Sequence, residues 1–233
     1  SDPRISQLPN PEEFGMALGG ISRMEQVTYG ARCTAYEIRE VEFTASDIGT
    51  EQGAALEARS YCYLDGILVI WSQSDSQDLG QTSAGVSLEV QQTRLGDGEP
   101  QTLLKAGLSL DGREDGTAEL NTDGAIADDN VILQDVSDWF PELGRAHLVI
   151  LPDMAIPYTY ESAVGEVFTL KARLEGSIVN QKHAGAAVLL GVPLPKLAGV
   201  LTDTVGQDVG QGLGSYLVDL LSKRPVAEKS LSI

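Results

Sequence analysis

From Val27 onward, apolar and polar residues alternate with a period of two. Turn signals break the alternation every roughly 8–12 residues. About thirteen segments have strand character on this count. Segments 27–36 and 37–45 come first, with Ile38, Val41 and Phe43 as inward anchors and one slip in phase that predicts a bulge. Segment 56–64 leads into Asp65-Gly66, a pair that predicts a two-residue hairpin. Segment 67–72 is apolar at nearly every position, so it predicts a strand buried on both faces. Segments 85–95, 102–110, 117–120 and 131–136 follow, separated by Gly- and Asp-rich turns. Segment 147–151 reads as buried and 158–162 as exposed. Segment 167–178 points Phe168, Leu170, Ala172 and Leu174 inward and Thr169, Lys171, Arg173 and Glu175 outward. Segment 184–192 is built of small apolar residues and predicts a central strand.

These elements predict an all-β fold, a β-sandwich of jelly-roll type, with an irregular N-terminal arm and a short C-terminal helical segment. The predicted division is an arm at 1–26, a sandwich at 27–195, and a helical segment with tail at 196–233. In the arm, Pro3, Pro9 and Pro11 oppose regular structure, Asn10-Pro11 offers a helix start, and Gly19-Gly20 offers a stop. In the tail, Leu197, Leu201, Val205, Val209, Leu213 and Leu217 recur at helical spacing. Gly206, Gly210 and Gly214 fall on a nearby face, where each glycine costs about 1 kcal/mol relative to alanine. That cost predicts a close backbone contact, with the sandwich itself or with another subunit. The segment 138–144, centred on Trp139 and Phe140, predicts a single helical turn or an aromatic plug.

Composition changes this picture in one respect, which is charge. The net charge is -18, and between Asp97 and Glu142 twelve acidic residues face only Lys105 and Arg113. Such a surface repels phosphate backbones and anionic lipid, so neither nucleic acid nor a membrane surface is an expected partner. The longest clean apolar run, Ile67 to Trp71, is far shorter than the roughly 18–20 residues that span a bilayer. The acidic stretch therefore reads as a solvated face or as a cation-binding one.

Candidate chemistry is sparse. His147 and His183 are isolated and lack the spacing of a zinc site. No G-x-S-x-G elbow, P-loop or dinucleotide-binding glycine pattern is present. The run Asp111-Gly-Arg-Glu-Asp-Gly116 is not an EF-hand, because Arg113 stands third and Thr122 twelfth where oxygen ligands are needed. Asp123, Asp128 and Asp129 remain candidate calcium ligands, and no other cofactor is expected. Cys33 and Cys62 lie in strand-like segments, and if those strands are neighbours the pair forms either a disulfide or two small buried thiols. No signal-peptide pattern opens the chain, and Ser1 is expected to follow a removed Met, a cleaved signal or a trimmed tag.

The sequence thus points to a self-associating, non-enzymatic structural subunit of an extracellular, cell-surface or virion assembly, such as a filament, surface layer or virus particle. In that reading the arm contacts another copy. A secreted module that binds glycan or calcium is the alternative, and a carbohydrate-active enzyme a weaker one.

Overall fold

The computed structural model describes residues 16–21, 29–45, 49, 51–73, 76–96, 98–126, 131–139, 143–181 and 183–191, together with 202, 207, 211–212 and 214–216. Among the described residues, ten strands carry the fold. They are β1 (Met16–Ile21), β2 (Tyr29–Glu42), β3 (Ala55–Gln73), β4 (Ser83–Arg94), β5 (Gln101–Gly112), β6 (Ala118–Gly124), β7 (Ile132–Asp135), β8 (Leu143–Ala163), β9 (Val167–Asn180) and β10 (Ala184–Leu190). A 3-10 turn spans Ser137–Trp139.

Two five-stranded antiparallel sheets result. The first runs β1-β10-β3-β8-β7 and the second β2-β9-β4-β5-β6. The pairs β1·β10, β2·β9, β3·β8 and β4·β5 are nested one inside the next. A long hairpin folded at β4–β5 and wound on itself gives this order, which is the jelly-roll topology. The pairings β10·β3 and β9·β4 close the winding sideways. Strands β6 and β7 are inserted between β5 and β8, and each extends one sheet by a strand.

The main core fills the space between the sheets, with Leu68, Ile70, Val86, Leu88, Leu108, Leu110, Val149 and Ile178 among its buried residues. A second core lies on the outer face of the first sheet. It gathers Ile67, Val69, Trp71, Ala146, Leu148, Ala187 and Leu189 beneath Val136 and Tyr216. This explains the doubly apolar run of β3, whose alternate residues serve the two cores. Trp71 finds room because Gly185 stands opposite it, where an added Cβ would sit 2.3 Å from the indole ring. The predicted aromatic plug is Trp139, which meets Tyr216 edge to face at 5.4 Å.

Several expectations are corrected. Segments 56–64 and 67–72 are one strand, and Asp65-Gly66 lies in it opposite a bulge of β8 rather than in a hairpin. Between the pairs Leu64↔Met154 and Gly66↔Leu151, the single residue Asp65 opposes two residues of β8, and Pro152 there brings no N–H to the ladder. Gly66 adopts a φ of +145°, and a Cβ there would lie 2.1 Å from the Leu189 carbonyl oxygen. Segments 147–151 and 158–162 likewise merge into β8, and Tyr158, Tyr160 and Ser162 are buried rather than exposed. The phase slip in 27–45 is no bulge, since β2 pairs with β9 without interruption. Instead Glu37 and Arg39 turn inward while Ile38 is 64% exposed. Within the expected arm, Met16–Ile21 is a strand of the sheet, and Gly19 and Gly20 pair with Ala187 and Ala186. The Asn10-Pro11 helix start lies outside the described residues.

Candidate functional site

The two sheets do not overlap along their whole length. Strand β10 ends at Leu190, opposite Gly66, and β7 pairs with β8 only from His147 to Ile150. Beyond those points β3 and β8 continue as a two-stranded ribbon, pairing from Ala55↔Ala163 to Leu64↔Met154. Among the described strands, neither outer edge of the ribbon has a neighbour.

The inner face of the ribbon rests on the second sheet through an aromatic cluster. Phe43 stacks on Tyr160 at 6.3 Å, and Phe168 lies 5.5 Å from Tyr160 and 6.4 Å from Phe43. Beside it lie the buried Cys62 and Tyr158, within reach of the Glu37 charge. Burial, and then the Glu37 carboxylate, push the Cys62 thiol up to about 12. Burial, and then Tyr158, push the Tyr160 phenol up to about 12. Burial raises the Tyr158 phenol as well, against a hydrogen bond with Ser60. A thiol held protonated in this way is a poor nucleophile and a poor metal ligand.

The outer face of the ribbon is different. Tyr63 is 57% exposed and Tyr61 37%. Arg59 lies over the Tyr61 ring at 5.4 Å. Across the ladder, Tyr61 faces Pro157, Tyr63 faces Ala155, and Glu57 faces Glu161. The alternation of tyrosine with Ser60 and Cys62 held the signal for this surface, but the sequence does not say that the strand edge beside it is bare.

The outer face of the second sheet carries Tyr36, 51% exposed, with the Lys171 ammonium 4.8 Å from its ring centre. A depression of about 160 Å³ is lined by Tyr36, Glu89, Gln91, Lys171 and Arg173. Ordinary small-molecule sites occupy roughly 300–1,000 Å³, and a cation already sits at this ring.

The predicted site residues are dispersed. Cys33 is exposed on β2 and Cys62 buried on β3, in different sheets, and both are free thiols. The expected disulfide is corrected because β2 and β3, though consecutive, lie in opposite sheets instead of pairing. Asp123 is exposed and pairs with Lys105 at 3.5 Å. Asp128 and Asp129 lie outside the described residues. Among the described residues, no group of three His, Cys, Asp or Glu side chains is gathered to hold a metal. The acids of the β5–β6 hairpin are occupied by local donors instead. Asp111 accepts hydrogen bonds from Ser109 at 2.6 Å and Asn121 at 2.8 Å. The Thr117 hydroxyl and amide hold the Asp115 carboxyl below the usual range. His147 is buried and bonds through Nε2 to the Gly116 carbonyl at 2.8 Å, which ties β8 to this hairpin. Gly214 sits in a helical, partly buried stretch beside the buried Tyr216, while Gly206 and Gly210 lie outside the described residues. No described helix is long and apolar enough to cross a membrane.

No family model matches the chain, and no curated protein does. Among solved structures, the chain is similar to the crystal structure of infectious bursal disease virus VP2 subviral particle. The identity is 12%, and the match covers 86% of this chain and 50% of that one, with a TM-score of 0.15. The chain thus spans about half the length of that protein, and an overlap this poor carries no argument.

Proposed function

We propose that this protein is a structural, non-enzymatic subunit of an extracellular or viral assembly: a filament, a surface layer or a virion. One observation carries the reading. Among the large apolar side chains left exposed, some lie at strand edges that carry no inward charge: Ile132 and Leu133 on β7, and Tyr61 and Tyr63 beside the bare edge of the β3 ribbon. A monomer gains by blunting such edges, because unpaired backbone groups template pairing with another chain. A subunit needs several of them, one for each neighbour. Jelly rolls serve capsid proteins, lectins and cupins alike, so the fold is compatible with this reading without deciding it.

Light scattering and negative-stain microscopy over micromolar to millimolar concentrations test the proposal. Concentration-dependent growth into particles of regular size or repeat is expected. A strictly monomeric protein over the whole range sinks it.

A further inference from the structure

We infer that the bare edge of β3, residues 55–61, pairs antiparallel with the same segment of a second copy about a two-fold axis at Ala58. The inference rests on the subunit reading and names the partner and register at one of its edges.

The neighbouring edges carry devices against pairing, and this one does not. On the other side of the ribbon, Pro157 cannot donate a backbone hydrogen bond. Strand β2, the edge of the second sheet, turns the charges of Glu37 and Arg39 inward, which penalises a docking strand. Residues 55–65 contain neither a proline nor an inward charge. The inward-facing Leu56, Ala58 and Ser60 are also only partly buried, as expected for a strand whose neighbour is missing.

Charge selects the partner and the register. On the outer face, Glu57 stands directly opposite Glu161 of β8. Like charges in that position are destabilising, and neither carboxylate forms an ion pair among the described residues. Among the described residues, Arg59 has the Tyr61 ring beneath it and no carboxylate in an ion pair. Antiparallel pairing centred on Ala58 places Glu57 against Arg59 of the second copy, and Arg59 against its Glu57. Each new pair brings a cation to the side of Glu57 and Glu161. Ala58 meets itself at the axis, where its small side chain lets the strands approach. Ala55 faces Tyr61 of the second copy. The product is a four-stranded sheet, β8-β3-β3-β8, running through both copies.

Charge reversal tests the arrangement in the full-length chain by sedimentation velocity, with circular dichroism as the fold control. Both side chains are exposed, so the variants are expected to fold. Glu57→Arg alone and Arg59→Glu alone should each weaken self-association at least about tenfold, since two like-charge pairs replace two opposite ones. An equimolar mixture of the two variants should associate again, because each arginine then meets a glutamate across the axis. The double variant, Glu57→Arg with Arg59→Glu, should associate like the wild type. Single variants that associate as the wild type does, or a mixture that stays apart, overturn this interface and leave the subunit reading standing. A wild-type chain that is monomeric throughout overturns both.

Discussion

At the scale of single residues, two positions make the local chemistry testable. Gly66 is held at a φ that L-residues rarely adopt, and its missing Cβ leaves room for the backbone of β10. Gly66→Ala is expected to cost about 3–5 kcal/mol, from strain plus the displaced strand. The urea midpoint measures it, and an unchanged midpoint would mean that the bulge relocates freely. Cys62 and Tyr160 set an alkaline limit. Both are neutral when protonated, and both hold their protons to about 12 in the folded chain, against ordinary values of 9.0 and 10.0. The unfolded chain releases those protons first. The stability they contribute is therefore complete below pH 9 and is lost as pH rises from there towards 12. Melting temperature should fall across that window. Cys62→Ala should flatten the fall between pH 9 and 10 and leave the later, tyrosine-driven part. Equal slopes in the two proteins would assign the loss elsewhere.

At the scale of elements, β2 shows how an edge is guarded. Glu37 and Arg39 form an ion pair on the inward face, beside the buried Cys62 and Tyr158. Replacing both by valine should leave the monomer as stable or raise it by about 1 kcal/mol, as for other ion pairs exchanged for apolar packing. Aggregation should nevertheless quicken, because the penalty on a docking strand is gone. Turbidity on gentle heating measures this, and a variant no more prone to aggregate than the parent would refute the guarding role. The same strand shows where pattern reading stops. The periodicity of 167–178 and the doubly apolar run 67–72 were legible because burial alone sets them. The inward charges of β2 look like a slip of phase to any reading that assumes polar means outward. Asp65-Gly66 looks like a hairpin because turn chemistry is local, whereas the choice between turn and bulge is made by β8 and β10, far away in sequence. The two cysteines suggest a pair for the same reason: β2 and β3 are consecutive in the chain but lie in opposite sheets.

At the scale of the whole molecule, charge governs association. Each copy carries -18, so approach is opposed over a distance that salt controls. The screening length falls from about 10 Å at 0.1 M to about 3 Å at 1 M. Self-association should therefore strengthen as sodium chloride rises, even though the pairs at a contact weaken slightly. Static light scattering against salt concentration reads this directly. Association that falls steadily with salt would place attraction between charges, rather than relief of repulsion, in control. The jelly-roll class was legible at this scale because alternation broken by recurring turns is a global property, although about thirteen expected segments merge into ten described strands. The ribbon that outruns β10 was not, because it depends on where two strands distant in sequence stop.

The nested pairing also sets an order of assembly for the chain itself. Strands β4 and β5 meet across a short turn, whereas Met16 must find Leu190. The entropy of closing a loop grows with its length, and contacts remote in sequence slow folding. Folding should therefore proceed outward from the β4–β5 hairpin, through β3·β8 and β2·β9, and end when β1 docks on β10. Pulse-labelling hydrogen exchange during refolding would then protect the amides of β4 and β5 first and those of β1 last. An emerging polypeptide would accordingly hold an open β10 edge until its last step, and a chaperone strand presented at that edge would meet it at its most receptive.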